Sequence, residues 1–302
     1  MTHPTAPEPG QASYRPGGSV LVAIALLIGG TWAFSFIDAL AKLLARDLPV
    51  IEILWGRLCV FVVIFAFFVA PWRWPGLLVS PRVGLQIFRA LIPIVASWLA
   101  YVALKTMSLA DMTAITFASP FFLTALSVVL LGERVGVHRW TALVIGFTGV
   151  LVIIRPGAGV FDWVAVLPVG AAFLYAIFQV TTRMLTEKAG PETVMLYTGL
   201  VGVAATTPFA VAYWQTPTLA QWGLIVASGV GHITAHILFV MAFSRAEAAQ
   251  LSPFNYVKIV AALFLGYVLF SEIPDAVSIA GMTIVIASGL YVVHRERAAV
   301  RD

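Results

Sequence analysis

The chain has 302 residues, 61% of them hydrophobic and 11% charged, where a typical soluble domain carries about 25% charged residues. That composition, with a mean hydropathy of +0.97, excludes a soluble globular domain of any size. The formal net charge of +4 is spread over the ends of apolar runs, which argues against the clustered basic face of a nucleic-acid binder.

Residues 1–19 hold Pro4, Pro7, Pro9 and Pro16 and almost no large apolar side chain, so they are expected to form a disordered tail. From Val20 onward the chain is a succession of apolar runs of about 20 residues, the length that crosses a bilayer. Spans are predicted at 20–44, 50–70, 83–105, 107–131, 139–155, 162–185, 192–214, 219–242, 246–270 and 276–293, with a short tail at 294–302. Turn chemistry separates most of them: Asp47-Leu48-Pro49, Pro71 to Pro81, Arg155-Pro156-Gly157, Ala189-Gly190-Pro191, Gln215-Thr216-Pro217 and Ile273-Pro274-Asp275. The joints near residues 106 and 244 lack such signals and follow from length alone. A lone cysteine, Cys59, leaves neither an intrachain disulfide nor a multi-cysteine metal site.

The pattern repeats. Ala242-Phe243, Ala249, Leu265, Leu269 and Glu272 lie 139 places after Ala103-Leu104, Ala110, Leu126, Leu130 and Glu133, without a gap. At an offset of 141, Phe34, Asp38, Lys42 and Leu44 fall on Tyr175, Gln179, Arg183 and Leu185. With the N-terminus in the cytoplasm, eleven basic residues fall on that side (Arg15, Arg73, Arg82, Arg134, Arg139, Arg183, Lys188, Arg245, Arg295, Arg297 and Arg301). Three fall opposite: Arg46, Lys105 and Arg155. This bias predicts a multi-pass inner-membrane protein with both termini cytoplasmic. An odd number of spans per half then inverts the second half relative to the first. The expected fold is all-α, a polytopic membrane protein of ten transmembrane helices in two inverted five-helix repeats, 20–156 and 157–293.

Polar groups inside a bilayer are costly, so each one within a span needs a cavity or a partner. Asp38 and Lys42 share a helix face; they either neutralise one another, with Lys42 reaching for the surface, or leave Asp38 as a cation or proton site. Arg57 and Arg89 lie about 10 Å inside their spans, six to eight residues from an end. Arg57 is expected either to pair with Glu52 or Asp38 or to serve the substrate. Arg89 either caps helix carbonyls or meets an anionic or carbonyl-bearing substrate group. Lys258 lies near the middle of the ninth span, beyond the reach of snorkelling; it either faces a cavity with Asn255 and Tyr256, pairs with Asp38, or caps broken-helix carbonyls. Glu133 and Glu272 end equivalent helices on opposite membrane faces, where they accept backbone N–H groups or pair with a neighbouring arginine, with a gate as the alternative. His232 and His236 are four apart, but Ile233 stands where a zinc-hydrolase H-E-x-x-H helix has its glutamate. A polar cavity face or proton relay suits them better than a metal site. The chain has no nucleophile elbow, Walker A loop or dinucleotide fingerprint, so no catalytic residue, enzyme activity or cofactor is expected.

The residues Ala103-Leu104, Ala110, Ser119-Pro120, Gly132-Glu133-Arg134, Trp140, Gly146 and Gly149-Val150 together resemble the EamA-type branch of the drug/metabolite transporter superfamily. The resemblance covers both halves and implies a ten-helix carrier around a central cavity. The second half departs from it, with Ile259 in place of Pro120, Ser271 in place of Gly132, and a proline moved upstream to Pro253. Ser252-Pro253-Phe254-Asn255-Tyr256, Gly266-Tyr267, Phe270, Glu272, Pro274-Asp275 and Gly289-Leu290-Tyr291, with Arg57 and Arg89, resemble the subgroup of bacterial riboflavin and S-adenosylmethionine carriers. Trp32, Phe36, Trp98, Tyr101, Phe117 and Tyr175, with Tyr256, are either core or stacking groups for a flat substrate. Gln179 joins the candidates as the counterpart of Asp38. The resemblance implies a secondary carrier of a small organic metabolite: riboflavin or a related flavin first, S-adenosylmethionine second, an amino-acid or drug exporter as a further alternative. A membrane sensor or scaffold is the non-transport reading. The partners expected are a small-molecule substrate and the lipid bilayer, without nucleic acid; homodimerisation stays open.

Overall fold

The computed structural model describes residues 20–69, 73–80, 82–132, 135–155, 163–186, 190–246 and 248–299. The expected N-terminal tail and Glu133 lie outside the described residues. Among the described residues there are helices and short connections, with no strand.

The helices are α1 (Val20–Leu44), α2 (Val50–Phe68), a short α3 (Trp74–Leu77), α4 (Val83–Ala103), α5 (Leu109–Thr116), α6 (Ser119–Leu131), α7 (Val137–Ile154), α8 (Val166–Thr186), α9 (Pro191–Ala212), α10 (Leu219–Phe243), a short α11 (Ala248–Leu251), α12 (Val257–Phe270) and α13 (Ala276–Ala299). Among the described residues, eight stretches are long and apolar enough to cross a membrane; Trp140–Ile154 and Ala276–Val292 are shorter apolar helices. The chain is a polytopic all-helical membrane protein.

Local chemistry sets the ends. Ser108 accepts the Asp111 amide at the start of α5, and Thr218 and Gln221 form a reciprocal capping box at the start of α10. Gly132, Arg155 and Ser271 end α6, α7 and α12 in the left-handed region, at φ 68°, 53° and 56°. Only the first of these is a glycine.

Two predicted spans are not continuous. The run 107–131 divides into α5 and α6 at Phe117 and Ala118, whose amides reach back only three residues, to Ala114 O and Ile115 O. Pro120 then stands in the first turn of α6, where its missing N–H costs nothing. The run 246–270 divides into α11, a 3₁₀ segment over Ser252–Tyr256, and α12, with Pro253 near the head of that segment. The last helix runs to Ala299 instead of 293, because His294 to Ala299 contain no breaker.

The packing is reciprocal. Helix α1 lies along α10 and α8 lies along α4; α2 faces α9 and α7 faces α13; α12 rests on α1 and α6 on α8. Exchanging each helix for the one about 140 residues away returns the same set of neighbours. Between apolar helices in lipid, contact depends on close fit rather than on burial from water. Gly149 and Gly281 meet backbone to backbone, since a Cβ on either would stand 2.8 or 2.7 Å from the other's carbonyl oxygen.

Candidate substrate site

Lys258 follows the 3₁₀ segment by one residue, so the break in the ninth span fixes its direction. Its Nζ lies 3.1 Å from Asp38 Oδ2 on α1, and the side chains are 29% and 16% exposed. Exposure of a paired charge deep in a span marks internal space. Ser35 Oγ, one turn before Asp38, donates to Lys258 O at 3.3 Å. In the other half Gln179 Nε2 on α8 donates to Ser119 Oγ at the α5–α6 break, at 3.3 Å. Gln179 is the counterpart of Asp38 at offset 141, and Ser119 that of Lys258 at offset 139. The same pair of positions is therefore charged in one half and neutral in the other.

The two breaks touch. Phe117, at the end of α5, stacks on Tyr256, at the start of α12, with centroids 5.0 Å apart and planes at 24°. Tyr256 reaches on to α13, where Gly289 leaves the notch that admits its hydroxyl; a Cβ there would stand 1.6 Å from Tyr256 Oη. Asn255 lies half-buried in the same 3₁₀ segment. Tyr175 on α8 is 47% exposed, packs against Phe178 at 5.6 Å, and is within electrostatic range of Lys258, Arg89 and Tyr101.

Around this centre Arg89 and Arg57 find neutral partners. Arg89 donates from Nε to Thr182 Oγ1 at 2.7 Å and from Nη1 to Thr198 Oγ1 at 2.9 Å and Val194 O at 3.4 Å; its guanidinium lies 4.4 Å from the Phe178 ring centre. It joins α4, α8 and α9, and it does reach a helix carbonyl. Arg57 does not pair with Glu52 or Asp38: its Nη1 donates to Tyr101 Oη at 2.5 Å, because Asp38 turns to Lys258 and Glu52 accepts the Gln215 amide at 3.1 Å. His232 and His236 lie 4.7 Å apart in an aromatic layer with Phe34 and Phe61. Among the described residues no group of three His, Cys, Asp or Glu gathers anywhere to hold a metal.

The Asp38–Lys42 pair expected from their spacing is not formed. Lys42 Nζ bonds Glu272 Oε1 and, at 2.5 Å, Met107 O, while Glu272 Oε2 accepts the Leu109 amide at 3.0 Å. This latch ties the end of α1, the start of α5 and the end of α12. Beside it Arg155 and Asp275 pair across the α7 and α13 ends. The Arg155 guanidinium, with the Ser278 amide behind it, holds the Asp275 carboxyl down at about 2, and Asp275 in turn raises Arg155. Glu272 thus accepts a backbone amide and pairs with a lysine of α1, in place of the neighbouring arginine expected as its cation.

Three further aromatic candidates have surroundings of their own. Trp98, 43% exposed, lines a groove of about 900 Å³ between α2, α4 and α9 with Thr206, Phe209 and Trp214. Phe36, also 43% exposed, shares a face of α1 with Leu43, two turns on. Trp32 packs edge-on against Phe264 of α12 at 5.5 Å. Tyr101, by contrast, is buried against Arg57, with 3% exposure. Ser35, Ser119, Thr182 and Thr198 were missed; carrying Lys258 back by 139 places would have found Ser119.

Comparison with known proteins agrees with this architecture. A solved crystal structure superposes with a TM-score of 0.62 at 17% identity, over 91% of this chain and 98% of the other, which shows a shared fold. An S-adenosylmethionine uptake transporter of Rickettsia bellii is 26% identical, covering 87% of this chain and 90% of its own. A riboflavin transporter of Rhizobium johnstonii is 28% identical over 75% and 71%. The pseudopaline exporter CntI of Pseudomonas aeruginosa is 26% identical over 88% and 93%. The model of the EamA-like transporter family matches twice, at residues 21–155 and 162–293. With both matches spanning nearly the whole helical chain, the protein belongs to the EamA-like transporter family.

Proposed function

We propose that the protein is a secondary carrier that moves a small organic metabolite across the bacterial inner membrane by alternating access between two inverted halves, 20–156 and 157–293. The observation that carries this reading is the partly exposed Asp38–Lys258 pair at the break of the ninth span, matched by the neutral Gln179–Ser119 pair at the break of the fourth. Discontinuous helices that meet near the midplane leave polar backbone and side chains facing a cavity, which is how inverted-repeat carriers build a substrate site. The reciprocal helix packing supports the two-half reading. A flavin is the first substrate choice: Tyr175, Tyr256 and Phe117 offer ring faces, and Gln179, Ser119 and Asn255 offer hydrogen bonds to ring carbonyls. S-adenosylmethionine is the second, favoured by Asp38 and Lys258, which are able to exchange one another for the ammonium and carboxylate of an amino-acid moiety.

The test is uptake into reconstituted vesicles with riboflavin, S-adenosylmethionine and amino acids, with and without a pH gradient. Saturable uptake of one member supports the carrier. No uptake of any of them, by protein that is folded and inserted, argues for a sensor or scaffold.

A further inference from the structure

Arg57 differs from the other buried cations of the bundle in having most of its donors unmet. It lies about 10 Å into α2 at 1.5 Å per residue, is 8% exposed, and makes one hydrogen bond, to Tyr101 Oη, with that ring 5.4 Å from the guanidinium carbon. Its Nε is buried without a partner, and so is Nδ1 of His232, which lies within electrostatic range of Arg57. Arg89 offers a control, for its donors are met by two threonines and a carbonyl. Asp38 is paired with Lys258 and Glu272 with Lys42, while Glu52 accepts the Gln215 amide on Oε2 and keeps Oε1 buried without a partner, with no hydrogen bond to Arg57.

A planar cation with free N–H groups in a low-dielectric recess is built to receive a pair of anionic oxygens. We infer that Arg57, with Tyr101 and His232, forms a recess for a carboxylate or phosphate group of the transported molecule, an inference that rests on the carrier reading. Tyr101 lies within electrostatic range of both Asp38 and Tyr175. A negative group seated there takes the free Nε–H, and His232 supplies a further N–H from Nδ1 in the matching tautomer. The rings of Phe34 and Phe61 pack edge-on against His232.

The experiment uses two probe pairs that differ by an anionic group: riboflavin 5′-phosphate against riboflavin, and S-adenosylmethionine against its decarboxylated analogue. Equilibrium binding to the purified full chain is expected to favour the anionic member of at least one pair by about tenfold or more, the scale of a charge-assisted hydrogen bond. Arg57→Gln should abolish that preference and Arg57→Lys should retain part of it. If Arg57→Gln does not fold, His232→Leu, which leaves the guanidinium in place, must still reduce the preference several-fold. Absence of any anion preference in the parent, or a preference unchanged in the variants, overturns the recess. Uptake of a neutral member without such a preference would sink the recess and leave the carrier standing. A preference that depends on Arg57, in protein that takes up none of the four probes, would sink the carrier and leave the anion site.

Discussion

Phe117 and Tyr256 lie face to face, 5.0 Å between ring centres, although 139 positions separate them, the spacing that relates the two halves of the chain. Equivalent residues of two related halves meet only on the axis that relates them. The stack therefore lies between the halves where the two helix breaks meet. Gly289→Ala, which drives a methyl into the Tyr256 hydroxyl, is expected to displace the ring and destabilise the protein by about 1–3 kcal/mol. Adding Tyr256→Ala should recover much of that loss without recovering transport. Melting in detergent and vesicle uptake measure the two effects; a Gly289→Ala protein that melts like the parent would remove the notch from the account.

Removing one partner of the Asp38–Lys258 pair leaves a charge alone in the bilayer. Lys258→Met is expected to lower stability by about 3–5 kcal/mol and to abolish transport. The double variant Asp38→Asn, Lys258→Met imitates the neutral pair of the other half, and it should fold about as well as the parent while remaining inactive. Denaturant unfolding in mixed micelles separates these cases. Normal uptake by the double variant would mean that the charges serve the fold alone.

The Arg155–Asp275 contact sets an acid limit at its end of the bundle. Asp275 has a folded value of about 2, below the value of about 3.9 for a free aspartate. Its stabilisation is therefore complete above pH 4 to 5 and is lost as the pH falls toward 2. The parent should lose melting temperature over that window, and Asp275→Asn should start lower and show a shallower slope. Parallel slopes would show that other carboxylates govern the acid transition.

Gly132 and Ser271 occupy the same left-handed turn in the two halves, at φ 68° and 56°, but only glycine adopts it without a Cβ penalty. Ser271→Gly is expected to stabilise the protein by about 0.5–1 kcal/mol with transport unchanged, and Gly132→Ser to cost a similar amount. Thermal unfolding of the pair of variants checks both signs.

Opposite insertion of the halves predicts that cysteines placed at Val135 and Pro274, in a background lacking Cys59, react with an impermeant reagent from opposite sides of the membrane. Reaction of both from one side would require a different arrangement of the two repeats.

The sequence disclosed the spans because apolar runs and turn residues are local signals, and it disclosed the repeat because Glu133 and Glu272 keep their spacing. It disclosed less about who meets whom. Spacing on one helix suggested Asp38 with Lys42, yet Asp38 meets a lysine 220 positions away and Lys42 a glutamate 230 positions away. Such choices depend on how α12 lies against α1, which no local pattern encodes. The breaks at Phe117 and at Ser252–Tyr256 were legible in outline through Pro120 and Pro253. Pro93 and Pro208 sit inside unbroken helices, so proline alone does not decide. Trp98 is a stacking candidate by residue type and resemblance, and only the packing of α2, α4 and α9 shows the groove that its side chain lines.

The partners chosen by α1 bear on how the protein is made. Ribosomes deliver α1 to the membrane long before α12 exists, so a nascent α1 carries Asp38 and Lys42 without the partners they hold in the folded chain. Charges inside a span are costly until they are paired. The partners that α1 holds in the folded chain come from the other end of the sequence, Lys258 in α12 and Glu272 just after it. Both contacts can therefore close only once the nearly finished chain is present.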